Sequence, residues 1–362
     1  MLAVPMSPEN ATSTASPETS RDISFIISTF ILVVVFLLGV PGNLFIIWSI
    51  LARARKRSVT TLLILNLACA DGAIMCLTVF FLIYLAKQCW VFGRVMCKLL
   101  FYLCNTNMYA SIMLITLMSL HRLVAVLWPH RVNALTRRRN VLAVLAGLWL
   151  LVFTLALPAL IFREERLNEK QNLVCVHNHN VTSYVVLQFM TETSVGFLLP
   201  YGIILSSYMY ILRRLRRTRF KRRVRSEKLI LAIVVTFAVF WLPYHVINIV
   251  QVVAACAQEN SKLKKMLEKI GQSSRPVTSA LAFIGSSANP VLYTFAGRSY
   301  IRADGFAFMA RLFEGIALDS NGRKAEQVGR EKAALKLKTS PDSSTEVKTE
   351  RAVDGQSRDI LP

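Results

Sequence analysis

The run "LLFYLCNTNMYASIMLITLMSL" (99–120) decides the fold, because it holds 22 residues without a charged side chain. The hydrocarbon core of a bilayer is about 30 Å thick, and roughly 20 residues of α-helix are needed to cross it. The run ends at His121 and Arg122, a basic pair placed where such a helix would leave the membrane. The stretch therefore predicts a helix that spans a membrane.

The same pattern recurs along the 362-residue chain, 54% of which is hydrophobic. Six further stretches of spanning length carry no charge or a single acid; they are 23–52, 58–86, 140–162, 171–212, 229–258 and 276–297. Spanning segments must satisfy their own backbone hydrogen bonds in lipid, so helices are expected. The sequence predicts an all-α bundle of seven transmembrane helices over 23–297, and a water-soluble core of seven such helices is excluded.

The net charge of +22 is concentrated in loops between successive stretches. The segments "RARKR" (53–57), "TRRR" (136–139) and "RRLRRTRFKRRVR" (213–225) occupy alternate connections. This positive-inside bias places these three loops in the cytoplasm and the N-terminus outside the cell. A nucleic-acid-binding surface would not be confined to alternate loops, so we expect contacts with membrane lipids and no nucleic acid.

The two ends of the chain are predicted to lie outside the bundle. Residues 1–22 are polar and lack a signal-peptide pattern, which indicates an extracellular tail. Two N-glycosylation sequons, at Asn10 and Asn180, both fall on the extracellular side. Residues 298–315 predict an amphipathic helix on the inner membrane surface, and 316–362 a disordered tail. Whether that tail only solvates the protein or is a phosphorylation cluster stays open.

Seven cysteines are distributed between the spans and the outer connections. Those within spans, Cys69, Cys76 and Cys104, are interpreted as small apolar packing residues. Cys97 lies at the outer end of the third span and Cys175 in the connection before the fifth. A disulfide between them would hold that loop over the bundle. The remaining two, Cys89 and Cys256, are expected to be unpaired.

Polar residues inside the spans indicate two internal sites, because such residues are costly in lipid. At one depth they form a candidate cation or water site, comprising Asn43, Asp71, Asn107, Ser111, Ser286 and Asn289. Glu192 lies about 12 Å further out along its helix than Pro200. Together with Arg163 it indicates a polar cavity open to the outside.

No catalytic constellation or phosphate-binding loop is apparent, so an enzyme is not expected. His177 and His179 could form a weak metal site, but a solvated loop is the favoured interpretation. A seven-span transporter or channel would need a polar path through the bundle, and only Asp71 and Glu192 are charged within the spans. An ion-flux assay would distinguish that class.

A set of motifs, one per span and in order, resembles the rhodopsin-like (class A) G-protein-coupled receptors over about 25–315. The set comprises Asn43, "LACAD" (67–71), Trp90, Cys97, Arg122, Trp149, Pro200 with Tyr208, "FWLPYH" (240–245) and "NPVLY" (289–293). More narrowly, "MYASIMLIT" (108–116), "GFLLP" (196–200), "SSANPVLY" (286–293) and "RLFEG" (311–315) look like the leukotriene B4 receptors. Each motif alone is weak, whereas the ordered set is specific.

The resemblance implies a plasma-membrane receptor for leukotriene B4 or a related hydroxylated eicosanoid, in chemotaxis and inflammation, coupled to an inhibitory-type G protein. A peptide chemoattractant receptor is the alternative. An amine ligand is disfavoured, because amine receptors carry an acid where this chain has Cys104. A lipid acid needs cations or donors for its carboxylate and an apolar channel. Candidate ligand-binding residues are Tyr109, Arg163, Glu192, His245, Asn248 and Arg275, with Arg275 ranked lower as a snorkelling anchor.

The resemblance also assigns internal roles. Asp71, Asn107, Ser111, Ser286 and Asn289 match a network that binds sodium and water, with no other cofactor expected. The activation switch matches Arg122, Tyr208, Phe237, Trp241, Pro243 and Tyr293. Arrestin would bind the tail if it is phosphorylated at Thr339, Ser340, Ser343, Ser344 and Thr345.

The pair that ends the opening stretch departs from the family pattern. Members usually pair the arginine at Arg122 with an adjacent acid, but this chain has His121 there. Arg223 replaces a second acid that some members use. The hypothesis is that the lost ionic restraint raises basal activity, and the alternative is that other packing holds the resting state.

Overall fold

The computed structural model describes residues 17–53, 58–128, 137–168, 171–217 and 224–296. Within these residues seven helical rods follow one another; they are Pro17–Arg53, Val59–Lys87, Gly93–Leu127, Arg138–Phe162, the fifth rod, Val224–Cys256 and Lys262–Ala296. The fifth rod consists of α-helix Thr182–Thr193, a π-helical turn Ser194–Leu198 and α-helix Leu199–Arg217. We refer to the rods as the first to seventh helices.

The third helix lies at the centre of the bundle and packs against the second, fourth, fifth and sixth helices. The first helix contacts both the second and the seventh, and the sixth contacts the fifth and the seventh. The buried side chains on the third helix, such as Met108, Ile112 and Ile115, form the middle of the apolar core. Every helix thus has neighbours on its inner side.

Within the described residues, six helices are long and apolar enough to cross a membrane. The seventh helix is as long as the third, but it begins at Lys262 with a lysine-rich outer turn, so it is less apolar. The helix therefore extends outward beyond the expected span 276–297. The first helix likewise begins at Pro17, inside the expected tail 1–22.

The fifth span starts at Thr182, later than the charge-free stretch 171–212 suggests, and residues 171–181 belong to the outer connection in which Cys175 is expected. Strand β1 (Arg163–Leu167) pairs antiparallel with β2 (Leu173–His177), forming a hairpin outside the bundle. The predicted disulfide is present: Cys175 in β2 bonds to Cys97 at the outer end of the third helix. The absence of charge in this stretch reflects a loop folded onto the protein. A charge-free sequence alone does not distinguish such a loop from a membrane span.

Side chains on the outer surface of the bundle are largely apolar, as expected for contact with lipid tails. Cys69 and Cys76 lie on that surface, so their interpretation as packing residues is wrong. Cys89, Cys104 and Cys256 form no disulfide within the described chain. Predictions for Asn10, Arg223, the amphipathic helix 298–315 and the tail 316–362 lie outside the described residues.

Candidate functional site

Glu192 on the fifth helix is the centre of a polar cluster in the outer half of the bundle. Its side chain is 2% exposed, and each carboxylate oxygen accepts two hydrogen bonds. Oε1 accepts from Asn105 at 3.2 Å and Gln188 at 2.9 Å. Oε2 accepts from the Tyr244 hydroxyl at 3.0 Å and Asn248 at 3.1 Å. Four neutral donors from three helices therefore stabilise this buried charge.

Arg275 on the seventh helix joins the same cluster. Its Nη1 donates to Asn248 Oδ1 at 2.7 Å, and its Nη2 donates to Gln251. The guanidinium also lies over the rings of Phe189 and Tyr244, 5.3 and 5.0 Å from the ring centroids. The guanidinium charge thus points into the bundle and does not snorkel to its outer edge, whereas the lower ranking of Arg275 among ligand contacts stays a prediction.

Arg163 brings a second guanidinium to this end of the bundle. It is the first residue after the fourth helix, and it donates to the Cys175 carbonyl at 3.3 Å. Its guanidinium carbon lies 3.6 Å from the ring centroid of Phe101. The buried Nε atoms of both Arg163 and Arg275 have no hydrogen-bond partner among the described residues. Both cations thus retain buried donor capacity.

Deeper in the same region, His245 and Tyr109 are almost fully buried, at 2% and 1% exposure. The His245 ring stacks on Phe197 with centroids 4.8 Å apart. Neither of its ring nitrogens has a hydrogen-bond partner within the described chain. Because a buried polar group without a partner costs free energy, His245 is available for a polar ligand group.

Asn248 thus joins Glu192 to Arg275 by hydrogen bonds, and Tyr244 packs against both Arg275 and His245. Arg163 pairs with His177 in the hairpin register. The His177 and Phe189 ring centroids lie 5.2 Å apart, and Arg275 lies over the same Phe189 ring, which connects the hairpin to the cluster. Two guanidinium groups against one carboxylate leave an excess positive charge. Such a site suits an anionic group on a ligand.

Sequence reasoning missed four residues of this cluster, Asn105, Gln188, Tyr244 and Gln251. Gln188 precedes Glu192 by four residues, so it lies on the same helix face, and this spacing was an available signal. Tyr244 stands within the quoted motif "FWLPYH". The donation from Asn105 crosses from the third helix to the fifth, and no local pattern predicts it.

Nearer the middle of the bundle, Asp71 accepts hydrogen bonds from Asn107 at 3.0 Å, Ser111 at 3.1 Å and Asn289 at 2.8 Å. Ser286 donates to Asn107 Oδ1 at 3.3 Å. Asn43, predicted at the same depth, instead donates to the Gly39 carbonyl of its own helix. The structure therefore unites five of the six predicted polar residues.

Residues of the predicted activation switch lie along the inner faces of the third, fifth and sixth helices. Trp241 stacks on Phe237 with ring centroids 5.5 Å apart. Arg122 and Tyr208 are buried, at 5% and 7% exposure. Pro243 lies within the sixth helix. The side chain of Tyr293 lies outside the described residues, so its role stays a prediction.

The two loop histidines are packed rather than solvated, which corrects the favoured interpretation. Their rings stack with centroids 5.6 Å apart, and His179 contacts Phe162 at 4.9 Å. Burial lowers the pKa of His177 well below its usual value, and the nearby Arg163 lowers it further. Burial also lowers the pKa of His179. No group of three or more metal-ligating residues occurs in the described part of the chain, so the metal hypothesis gains no support.

Comparison with known proteins identifies the class. Residues 42–293 match the family of 7 transmembrane receptors of the rhodopsin type. The chain belongs to this family: it is a G-protein-coupled receptor, a multi-pass protein of the plasma membrane, and not an enzyme.

Individual relatives narrow the comparison. The chain is 40% identical to human leukotriene B4 receptor 1 over 324 residues, covering 89% of this chain and 92% of that protein. It is 37% identical to human leukotriene B4 receptor 2 over 323 residues, covering 86% of each. A C3a anaphylatoxin chemotactic receptor of Oncorhynchus mykiss is 35% identical over 304 residues, covering 81% of this chain and 79% of that protein.

Proposed function

We propose that this receptor binds leukotriene B4 or a closely related hydroxylated eicosanoid and signals in chemoattraction and inflammation through an inhibitory-type G protein. The observation that carries the proposal is the pair of inward-facing cations, Arg163 and Arg275, beside the neutral donors that surround Glu192. The names and coverage of the relatives support the ligand class.

The chemistry of such a ligand fits the cluster. A fatty-acid carboxylate would take charge-assisted hydrogen bonds from the guanidinium groups. The partnerless ring nitrogens of His245 suit a ligand hydroxyl, and Asn248 offers a further polar contact. Phe101, Met108 and Trp241 supply apolar and aromatic surface for the hydrocarbon chain. Tyr109 stays a proposed contact from the same region.

A peptide chemoattractant remains the second candidate, because the C3a receptor relative covers most of the chain. A peptide C-terminal carboxylate would satisfy the same cations. The two ligand classes differ in what fills the apolar part of the site, so they separate in a direct comparison of ligands.

We also propose that a sodium ion binds beside Asp71. All the donors that the structure places on this buried carboxylate are neutral, which leaves its charge uncompensated. Oxygen atoms of Asp71, Ser111 and Ser286 are the hard ligands that such a cation prefers. The ion would supply the missing positive charge. Replacing sodium by choline should alter ligand affinity in the native receptor and leave Asp71→Asn unaffected; equal responses would contradict this.

Inhibition of cyclic-AMP accumulation in cells expressing the chain tests the ligand proposal. The cells are titrated with leukotriene B4, its methyl ester, other eicosanoids and chemotactic peptides. Arg163→Ala should weaken the response to leukotriene B4 about tenfold or more, since a hydrogen bond to a charged group contributes about 1.5–3 kcal/mol. Arg166→Ala is the matched control, because the Arg166 side chain is 54% exposed.

Three outcomes separate the possibilities. A saturable response to leukotriene B4 that depends on Arg163 supports the proposal, and its loss after pertussis-toxin treatment supports the G-protein type. A response to peptides alone would show the ligand class to be wrong while leaving the receptor class intact. Phosphorylation of the tail, with arrestin recruitment through Thr339, Ser340, Ser343, Ser344 and Thr345, is a further proposal that the same cells can test.

A further inference from the structure

A chain of hydrogen bonds connects the extracellular loop to the buried carboxylate of Glu192. Gln188 lies one turn before Glu192, is 2% exposed, and donates through Nε2 to Glu192 Oε1 at 2.9 Å. Its Oε1 lies 2.8 Å from His179 Nε2. Because the amide oxygen can only accept, His179 must donate from Nε2. The direction of every bond in the chain is therefore determined.

His179 is itself held in place by aromatic rings. Its ring lies 4.9 Å from Phe162, 5.6 Å from His177 and 5.9 Å from Phe189, measured between centroids. These neighbours come from the fourth helix, β2 and the fifth helix. A ring packed on several sides loses its rotational freedom, so His179 offers Gln188 a fixed donor.

The orientation of Glu192 matters beyond its own position. Its Oε2 accepts from Asn248, and the carbonyl oxygen of the Asn248 side chain accepts from Arg275 at 2.7 Å. Removing the Gln188 donor would leave Oε1 with Asn105 alone and free the carboxylate to turn. Asn248 would shift with it, so Arg275 would keep its bond to Gln251 but lose the one to Asn248, and the direction of its guanidinium would change.

We propose that His179 and Gln188 are positioning residues of the ligand site: they hold Glu192 so that Asn248 presents Arg275 to an anionic ligand. This inference rests on the proposed lipid-acid ligand. Neither residue is assigned a contact with the ligand. Both act through Glu192, and the loop thereby sets the affinity of a site that lies inside the bundle.

A double-mutant cycle between Gln188 and Glu192 tests the coupling. Gln188→Met keeps the length of the side chain and removes its hydrogen bonds. It should weaken leukotriene B4 binding about tenfold, the effect of losing one hydrogen bond to a charged group. In a Glu192→Gln background the same change should have an effect of about twofold or less, because no charge remains to be oriented. Additive effects would overturn the proposal.

The methyl ester of leukotriene B4 provides a readout that a packing defect would not produce. The ester lacks the negative charge that Arg275 would bind, so Gln188→Met should weaken its binding far less than that of the acid. Equal losses for acid and ester would indicate a structural role only and overturn the positioning role.

Histidine variants complete the test. His179→Phe keeps a ring among the neighbouring aromatics and removes the donor, so it should weaken binding of the acid and show no added loss in Gln188→Met. His177→Phe is the matched control, because it preserves the ring stack beside His179 and should leave affinity unchanged at pH 7.5. If His177→Phe weakens binding as much as His179→Phe, stacking rather than hydrogen bonding is responsible and the proposal fails.

Failure of the ligand proposal can be told apart from failure of this inference. If the native receptor does not bind leukotriene B4, the ligand proposal is wrong. The double-mutant cycle between Gln188 and Glu192 is then measured by thermal melting of the ligand-free receptor. Non-additive melting temperatures for Gln188→Met and Glu192→Gln would support the coupling. Additive ones would overturn it.

Discussion

At the scale of single residues, the hydrogen-bond partners of the buried charged side chains explain how the polar cluster is built. Glu192 is tolerated in an apolar bundle because four neutral donors surround it. Arg275 is held by two side-chain oxygens and two aromatic faces. Arg163 has fewer contacts: its guanidinium donates to one backbone carbonyl and lies over one ring. Glu192 therefore has all its hydrogen-bonding capacity used within the protein, whereas both arginines keep a buried Nε without a described partner.

His177 should make the stability of the receptor depend on pH. In the unfolded chain it takes up a proton near pH 6.5, whereas burial and Arg163 lower its pKa in the folded receptor. As the pH falls below about 6.5, the unfolded state binds the proton and the folded state does not. The free energy of unfolding therefore falls, by up to about 1.4 kcal/mol per pH unit.

Thermal melting at pH 7.5 and 5.5 measures this contribution. The native receptor should lose more stability on acidification than His177→Phe, which keeps a ring in the same place and cannot take up a proton. If both proteins lose the same amount, His177 is not the group responsible.

At the scale of elements, the hairpin and the outer part of the fifth helix act together. The hairpin follows the fourth helix, and its strand β2 is tied to the third helix by the disulfide. Arg163 at the start of β1 donates to the carbonyl of Cys175 in β2. A Lys98 side chain on the third helix also donates to the Leu160 and Ile161 carbonyls at the end of the fourth helix. The hairpin is therefore fixed at several points over the site.

Cutting the disulfide should weaken both stability and ligand binding. Cys175→Ser removes a cross-link between residues 78 apart in sequence, which by loop entropy contributes about 4.5 kcal/mol. Released β2 would also shift the acceptor of Arg163. Ligand binding and melting of purified receptor measure the loss, and Cys256→Ser, at a free exposed cysteine, is the control. Unchanged affinity in Cys175→Ser would show that the hairpin does not organise the site.

At the scale of the whole molecule, the central third helix links the outer site to the cytoplasmic end. It carries Asn105 beside Glu192, Asn107 beside Asp71, and Arg122 near its inner end. The sixth helix, which carries Asn248 and Trp241, packs against the fifth and seventh. A ligand that changes the outer contacts of these helices can shift the equilibrium between resting and active receptors only by its difference in affinity for the two.

A carboxylate introduced beside Arg122 should lower the ligand-independent activity of the receptor. Arg122 is buried at 5% exposure, and His121 precedes it where the family usually has an acid. His121→Asp would favour the resting state, and a shift of about 1.4 kcal/mol changes a two-state equilibrium tenfold. Basal cyclic-AMP inhibition, corrected for surface expression, is the measurement, and His121→Asn is the uncharged control. Identical basal activity in both variants would favour the alternative that other packing holds the resting state.

Local sequence patterns predicted much of this molecule. Long uncharged runs and alternating basic loops identified the spans and their direction, because lipid imposes length and polarity on each segment separately. The ordered motifs identified the family. The costly polar residues in the spans, Asp71 and Glu192, marked the two internal sites before any contact was known.

Tertiary structure alone decided which residues share a site. The Arg275 side chain lies inside the bundle, residues 163–177 form a hairpin, and Cys69 and Cys76 face outward. The bonds from Asn105 to Glu192 and from Arg275 to Asn248 join residues 87 and 27 positions apart. A hydropathy pattern shows that a residue lies in a span. The rotation of each helix against its neighbours determines whether that residue meets lipid, core or ligand, because this rotation depends on packing between distant segments.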